Sequence, residues 1–151
     1  EYMSFDGVAI LGAPQSTLNG DTGRIDNTDP GILYSPEAWI DFPFESYYGG
    51  SQAYATDAGS IVQFKIEGNS FTVIERLLAA ASGFVNMCVV ENDNIEPDRL
   101  RCVSFSQQSA TNVFQNPITF YGLGAGTHHI VLIHEDHGNL FFFDAIEIYG
   151  D

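Results

Sequence analysis

The stretch 126-GTHHIVLIHEDHGNLFFFDAIEIY-149 holds two apolar segments separated by the polar turn signal Asp136-His137-Gly138-Asn139. In both segments apolar residues recur at alternate positions, which is the pattern of β-strands. Two such segments around a short turn containing glycine are typical of a β-hairpin. The apolar faces of the two strands match only with a three-residue or bulged turn, because a shift by one residue would turn one strand over. The stretch therefore predicts a long antiparallel hairpin.

Asp144 lies in the second strand of this hairpin, on the same predicted face as Phe142, Ile146 and Ile148. An ionised carboxylate among apolar side chains must be compensated by hydrogen bonds, a cation or a metal, or else it stays protonated. The sequence therefore predicts that Asp144 has one of these partners or is protonated, and it leaves open which.

The opposite face of the predicted hairpin is also apolar and carries Phe141, Phe143 and Tyr149. A face of this kind is covered either by another strand of the same domain or by another chain. We therefore regard these three residues as a candidate assembly face, through which other copies of the chain could bind.

The rest of the chain repeats the same short alternating pattern. The clearest strand is 61-IVQFKIE-67, in which Val62, Phe64 and Ile66 are predicted to face the core. Gly68 and Asn69 then predict a turn into a second strand, which would complete another hairpin. In total about nine or ten short strands and almost no helix are expected, which indicates an all-β antiparallel sandwich of jelly-roll topology. We expect a single domain over residues 1–151, with an N-terminal strand and loop at 1–23, which could pair with a neighbouring copy, and a jelly-roll core at 24–150.

The charge balance is strongly acidic, with 20 Asp and Glu against five Lys and Arg and a net charge of -15. Nucleic acids are not expected as partners, because their recognition needs clustered cations. No apolar run approaches the roughly 20 residues that a membrane-spanning helix requires, so we expect no direct membrane insertion.

The two cysteines, Cys88 and Cys102, lie in two strand-like segments joined by a polar loop. Antiparallel pairing of these segments would place the cysteines opposite each other. Val85, Met87 and Val89 form the better core face of the first segment, so both thiols should point outward on the same side. We predict a disulfide, which implies an oxidising compartment and an extracellular or cell-surface location. The alternative is a pair of free thiols.

An aromatic, glycine-rich segment lies between residues 39 and 54, where Trp39, Tyr47, Tyr48 and Tyr54 are candidate ligand-binding residues. Exposed aromatic rings next to polar side chains can stack on the apolar faces of sugars. The alternative is that these rings, Trp39 above all, belong to the core.

A polar segment over residues 13–31 contains Asp21, Asp26 and Asp29. Calcium prefers such oxygen ligands, so we predict a possible Ca²⁺ site here, although the spacing is not that of an EF-hand. The alternative is that these side chains form turns and caps.

No motif of a catalytic nucleophile is present. The chain has no Gly-x-Ser-x-Gly sequence and no cysteine with an assignable base. We therefore expect a domain that is not an enzyme.

Several segments together resemble a known group of proteins. Tyr34-Ser35 followed by Trp39, then AGSIVQFKIEGNSFTVIER, then LGAGTHHIVL and finally LFFFDAIEI are similar, in this order, to jelly-roll, galactose-binding-like domains of secreted and cell-surface bacterial proteins. That superfamily includes many carbohydrate-binding modules. The resemblance covers roughly residues 24–150 and implies that Asp144 holds a structural Ca²⁺ together with Glu1 or Asp6 of the first strand.

These observations lead to two expectations about function. The first is a non-catalytic extracellular module that binds carbohydrate or another cell-surface ligand, with structural calcium as a possible cofactor. The second is a structural subunit of a cell-surface filament, array or adhesin that assembles by strand pairing or through its apolar face.

Overall fold

The computed structural model describes residues 14, 16–36, 39–90, 100–136 and 138–150. In this part of the chain, regular structure consists of short strands and two single-turn 3-10 helices at Gly20–Thr22 and Tyr48–Gly50. The strands are β1 (Thr17–Leu18), β2 (Ile25–Asp26), β3 (Leu33–Tyr34), β4 (Trp39–Pro43), β5 (Ser51–Ala55), β6 (Ile61–Glu67), β7 (Ser70–Leu77), β8 (Val85–Val90), β9 (Leu100–Phe105), β10 (Val113–Phe120), β11 (Thr127–His134), β12 (Phe141–Phe143) and β13 (Ala145–Tyr149).

The strands form three sheets. The largest has the order β1-β6-β11-β8-β9, with β3 also paired to β6, and the other two have the orders β10-β7-β13-β2 and β12-β5-β4. All pairings are antiparallel except that between β1 and β6 and an isolated bridge. The predicted all-β antiparallel sandwich is confirmed.

The main core lies between the six-stranded sheet and the two smaller sheets. From the large sheet it receives the predicted inward residues of β6 and β8 together with alternate residues of β11. From the smaller sheets it receives Phe71 and Val73 of β7, Phe141 and Phe143 of β12, and Ile146 and Ile148 of β13. Because side chains alternate along each strand, one face of every sheet is apolar, and these faces pack together in one core.

The predicted hairpin at residues 126–149 is wrong, and so is its turn. β11 pairs with β6 and β8 in the large sheet, whereas β12 and β13 pair with strands of the two smaller sheets. The connecting segment crosses from one layer to the other, because its backbone groups bond elsewhere: Glu135 N–H donates to Phe84 O and Leu140 N–H to Ala80 O. The two apolar strands thus face each other across the core instead of lying side by side.

The predicted assembly face is also corrected. Phe141 and Phe143 have an exposed fraction of 0%, since they pack into the main core, and only Tyr149 is exposed, at 43%. The chain changes sheets at Asp144, and the inward residues change there from odd to even numbers. Simple alternation through this point therefore assigned the phenylalanines to the wrong face.

The predicted hairpin at Gly68 and Asn69 is wrong for a similar reason. β6 belongs to the large sheet and β7 to the four-stranded sheet, so the chain arches over the core edge between them. Gly68 N–H donates to Gly126 O, and Asn69 N–H donates to Tyr149 O. The prediction that Val62, Phe64 and Ile66 face the core is confirmed.

The predicted disulfide is confirmed. Cys88 of β8 and Cys102 of β9 are directly opposed in the ladder and are bonded to each other. Val85, Met87 and Val89 face the core as expected, but the expectation that both thiols point to solvent is wrong for Cys88. Cys88 is fully buried and packs with Ile61, Val90, Val131 and Ile133 in a second, smaller apolar cluster.

The predicted N-terminal strand, with Glu1 and Asp6, lies outside the described residues. Nowhere in the described ranges does a helix reach the length and apolarity of a membrane span.

Candidate ligand-binding site

The outer face of the three-stranded sheet is aromatic. Because side chains alternate, Ile40 and Phe42 of β4 point away from the core, on the same side as Tyr54 of β5 and Phe142 of β12. Ile40 is opposite Tyr54 in the ladder, and Tyr54 is opposite Phe142. Three strands that are distant in sequence thus present one continuous apolar surface, which we call the aromatic face.

Part of the aromatic face is open to solvent. Ile40 is 53% exposed and Phe42 is 42% exposed, whereas Phe142 below them is 2% exposed. The ring of Phe42 meets Tyr54 edge-on, with 6.1 Å between the ring centroids. Edge-to-face contacts of this kind are favourable and hold the two rings in a defined orientation.

Arg76 of β7 extends over one edge of the aromatic face. Its guanidinium carbon lies 4.9 Å from the centre of the Phe114 ring and 5.3 Å from that of Phe142. Nε donates a hydrogen bond of 2.8 Å to Asn112 Oδ1, and Nη1 donates one of 2.8 Å to the Tyr47 hydroxyl. The cation is thus held by aromatic rings and by neutral acceptors.

A β-bulge in β10 places Phe114 beneath Arg76. The register between β10 and β7 shifts between Val113 and Asn116, and Gln115 within this bulge has a φ of 50°. A non-glycine residue in the left-handed region costs free energy, and such strain is held by surrounding contacts. Here Gln115 donates to Ser46 O and accepts from Arg24, which fixes the bulge.

A cavity of about 200 Å³ opens between Arg76 and the aromatic face. Phe42, Tyr54, Phe142 and Leu140 form its apolar walls, and Arg76 is its only charged lining residue among those described. The volume is small beside that of a typical drug-sized pocket, so it suits a single ring or a terminal group.

A second cleft, of about 370 Å³, lies on the other side of β4. It is lined by the rings of Tyr34 and Trp39 and by polar groups of Asn27, Thr28 and Asp41. Trp39 packs against the core and donates its indole N–H to Ile61 O and Ser35 Oγ. Its ring is therefore fixed by structural contacts, and only part of it borders the cleft.

Asp144 is completely buried at the junction of β12 and β13. Oδ2 accepts a hydrogen bond of 3.1 Å from Tyr48 N–H, whereas Oδ1 has no partner in the described part of the chain. Burial, aided by the nearby Asp26 carboxylate, raises the pKa of Asp144 to about 7 against the opposing effects of the Tyr48 N–H and Arg24. The carboxyl is thus poised between a neutral acid and a carboxylate that needs a cation.

Oxygen atoms also gather around the side chain of Asn27, whose backbone N–H donates to Asp144 O. One atom of the Asn27 side-chain amide lies 3.0 Å from Ser51 O and 3.1 Å from Asp26 Oδ1. With nitrogen at this position the amide donates to both oxygens. With oxygen there, three oxygens converge as they do around a cation. The donor set thus fits Ca²⁺ in kind, although no cluster of three or more His, Cys, Asp or Glu suited to a metal occurs among the described residues.

The other acids predicted to bind metal have different surroundings. Asp21 is exposed in the first 3-10 turn, where its N–H binds Asn19 Oδ1. Asp29 accepts from Gly31 N–H in a local turn, which matches the alternative interpretation. The structure thus brings Asp26 close to Asp144 and uses Asp29 in a turn.

The four predicted ligand-binding aromatics do not form one platform. Tyr54 lies on the aromatic face, Trp39 borders the second cleft, and Tyr47 is 3% exposed and holds Arg76. The Tyr48 hydroxyl donates to Arg24 O. Sequence reasoning missed Phe42 and Arg76 as site residues, although the position of Phe42 in the Ile40-Asp41-Phe42 alternation was a usable signal.

No family model and no curated protein sequence matches the chain. Solved structures do match. A family 35 carbohydrate-binding module from Clostridium thermocellum has a TM-score of 0.52 at 16% identity, over 82% of this chain and 96% of the module. The chain has a carbohydrate-binding-module-like jelly-roll fold.

Enzymes are also similar in part. A family two carbohydrate esterase from Cellvibrio japonicus has a TM-score of 0.56 at 12% identity, and a glycoside hydrolase family 43 arabinoxylan arabinofuranohydrolase from Bacillus subtilis has 0.58 at 16%. The match covers 85% and 90% of this chain but only 33% and 28% of those enzymes. At this identity the likeness establishes the fold alone, which both a binding module and enzyme chains contain.

Proposed function

We propose that this domain is a non-catalytic extracellular module that binds carbohydrate on its aromatic face. The observation that carries the proposal is the solvent-exposed ring of Phe42, braced by Tyr54 above the buried Phe142. A rigid, exposed aromatic ring is suited to stacking against the apolar face of a sugar. The fold, the acidic charge and the disulfide are compatible with secretion.

The assembly hypothesis loses its support from the apolar face, because Phe141 and Phe143 are inside the core, whereas pairing through the N-terminal strand stays a prediction. Exposed Ile40 and Phe42 lie on β4, an edge strand of the three-stranded sheet, but this strand ends in Pro43. Proline at an edge opposes the addition of a further strand. We therefore propose ligand binding by this surface rather than pairing between copies.

The test is a glycan array followed by titration calorimetry with F42A and F84A. Phe84 is a matched control, since it is 43% exposed but has no ring contact among the described residues. We expect F42A to weaken binding by about tenfold or more, equivalent to about 1.4 kcal/mol, and F84A to leave it unchanged. Equal affinities of the two variants, or an array without any binding, would refute the proposal.

We also propose that Asp144, with Asp26, Asn27 and Ser51 O, holds a structural Ca²⁺. The support is the buried Oδ1 of Asp144, which has no partner among the described residues, together with the oxygens around Asn27, whose backbone N–H donates to Asp144 O. Bound calcium would favour the carboxylate and would tie together the segments that carry these residues. Glu1 and Asp6 remain predicted partners outside the described residues.

Thermal unfolding with CaCl₂ and with a chelator tests the calcium proposal. We expect calcium to raise the unfolding temperature of the wild type and of D21N, but not that of D144N. D21N is the control, because Asp21 is exposed in its own turn. An identical calcium response in D144N would exclude Asp144 as a ligand.

A further inference from the structure

The environment of Arg76 is unusual for a cation in so acidic a chain. The chain carries 20 acidic residues, yet no acidic side chain in the described ranges forms an ion pair with Arg76. Arg24 provides the contrast, because its Nε lies 3.1 Å from Glu147 Oε2. Glu75 precedes Arg76 in β7 but binds Gln107 and Asn116 instead. A half-buried guanidinium has thus lost part of its hydration without gaining an anion.

The unused hydrogen-bonding capacity of Arg76 is a second feature. A guanidinium presents a planar fork of N–H donors, and here one N–H binds Asn112 and one binds Tyr47. The remaining N–H groups have no acceptor among the described residues. Since burial raises the pKa of Tyr47, its hydroxyl stays protonated and does not neutralise the charge. Arg76 can therefore accept a bidentate anion without breaking an observed contact.

The cavity determines what kind of anion fits. Its walls are Phe42, Tyr54, Leu140 and Phe142, so the body of the ligand must be apolar-faced, and a volume of about 200 Å³ limits it to about one ring. One guanidinium neutralises one negative charge, and the overall charge of -15 repels multiply charged ligands more strongly. A planar carboxylate matches the fork better than a bulkier dianion.

We propose that the Arg76 cavity binds the carboxylate of a ring-shaped small molecule, with the ring against Phe42 and Tyr54. This inference rests on the proposed function, which places a ring of the ligand on the aromatic face. It adds that the ligand carries a negative charge. The sugar acid at one position of an acidic glycan has this chemistry, and so does a simple aromatic acid.

The experiment is an NMR titration of the whole chain with two matched pairs of probes: glucuronate with glucose, and benzoate with benzamide. Each pair keeps the ring and removes the charge. We expect the carboxylates to shift the signals of Arg76 and Tyr54 and to bind at least about tenfold tighter than their neutral partners. Glucuronate binding would identify a sugar acid, whereas binding of benzoate alone would support the carboxylate site and contradict the carbohydrate proposal.

The variants are R76M, R76K and the control R101K. R76M should abolish carboxylate binding, and R76K should weaken it by about tenfold, because lysine keeps the charge but loses the fork. R101K should bind as the wild type does, since Arg101 is exposed on β9 of the large sheet and does not line the cavity. If R76M fails to fold, R76K carries the test. Unchanged affinity in R76K, or equal binding of charged and neutral probes, would overturn the carboxylate inference but leave the carbohydrate proposal intact.

Discussion

Glu75 is a buried acid without a cation among the described residues. It is 1% exposed and accepts hydrogen bonds of 3.0 Å from Gln107 Nε2 and 3.2 Å from Asn116 Nδ2. Gln107 in turn binds both backbone groups of Phe142. Burial raises the pKa of Glu75 to about 7, more than these hydrogen bonds lower it. Glu75 therefore holds Gln107, which in turn holds β12, and the strength of this link depends on the protonation of Glu75.

The sign of the pH effect follows from this shift. The pKa of Glu75 is higher in the folded state than in the unfolded chain. Its contribution to folding stability is therefore fully present below about pH 4.5 and is lost as the pH rises through about 7. We expect E75Q to be more stable than the wild type near pH 8 by on the order of 1–3 kcal/mol and to lose this advantage near pH 4.5.

Urea unfolding at both pH values measures this effect for Glu75. The Asn116 amide must turn over to accept from the new Gln side chain, whereas Gln107 is fixed by Phe142. E147Q is a suitable control, because Glu147 is half-buried and is paired with Arg24. A stability difference that does not change with pH would show that Glu75 is not the titrating group.

At the residue scale the sequence predicted the need of Asp144 for a partner. The structure buries that carboxylate fully, and one of its oxygens has no partner among the residues described. The sequence did not predict the site around Arg76. The reason is physical: β4, β5, β7 and the β10 bulge contribute Phe42, Tyr54, Arg76 and Phe114, and only the sheet pairing brings them together.

Among the elements, the bend between β6 and β7 depends on a close approach. A Cβ on Gly68 would lie 2.5 Å from Tyr149 O, a backbone atom that cannot move independently. We expect G68A to destabilise the fold by roughly 1–3 kcal/mol, because β13 must shift away from the bend. Gly150 is the matched control, since a Cβ there meets nothing within 4 Å. Thermal unfolding of G68A and G150A compares them, and similar losses would contradict the steric argument.

The disulfide joins Cys102, which is exposed on β9, to Cys88 of β8, which lies in the second apolar cluster. It closes a loop with a sequence separation of 14 residues. We expect its removal in a C88A/C102A variant to lower the unfolding free energy by about 2–4 kcal/mol, mainly by freeing the unfolded chain. Guanidinium unfolding with and without reductant measures the loss. The variant should not respond to reductant, and an unchanged midpoint of the reduced wild type would contradict the prediction.

The sequence predicted which residues of a strand face the core, because that depends on local alternation. It did not predict which strands pair across the glycine turns. Alternation correctly placed Val62, Phe64 and Ile66 in the core, and the spacing of Cys88 and Cys102 correctly paired β8 with β9. The turns at Gly68 and Gly138 both match the hairpin pattern, although each connects two different sheets. An apolar strand of a sandwich satisfies the same pattern whether its neighbour in sequence lies beside it or across the core.

For the whole molecule, the charge of -15 should dominate the dependence of stability on salt. Acidic groups repel one another more strongly in the compact state, and salt screens this repulsion. We expect the unfolding temperature to rise between about 0.05 M and about 0.5 M NaCl, since the Debye length shortens in this range. CaCl₂ at matched ionic strength separates screening from specific binding. A fall in the unfolding temperature with NaCl would contradict the argument.

The position of β13 has a consequence for biosynthesis. β13 lies between β7 and β2, so the four-stranded sheet has a gap at its centre until residue 149 has been made. A nascent chain that ends earlier exposes the edges of β7 and β2 and the core residues against which Ile146 and Ile148 pack. Folding must therefore wait until β13 has left the ribosome. Until then the domain stays open, and its unpaired strand edges must be kept from pairing with other chains.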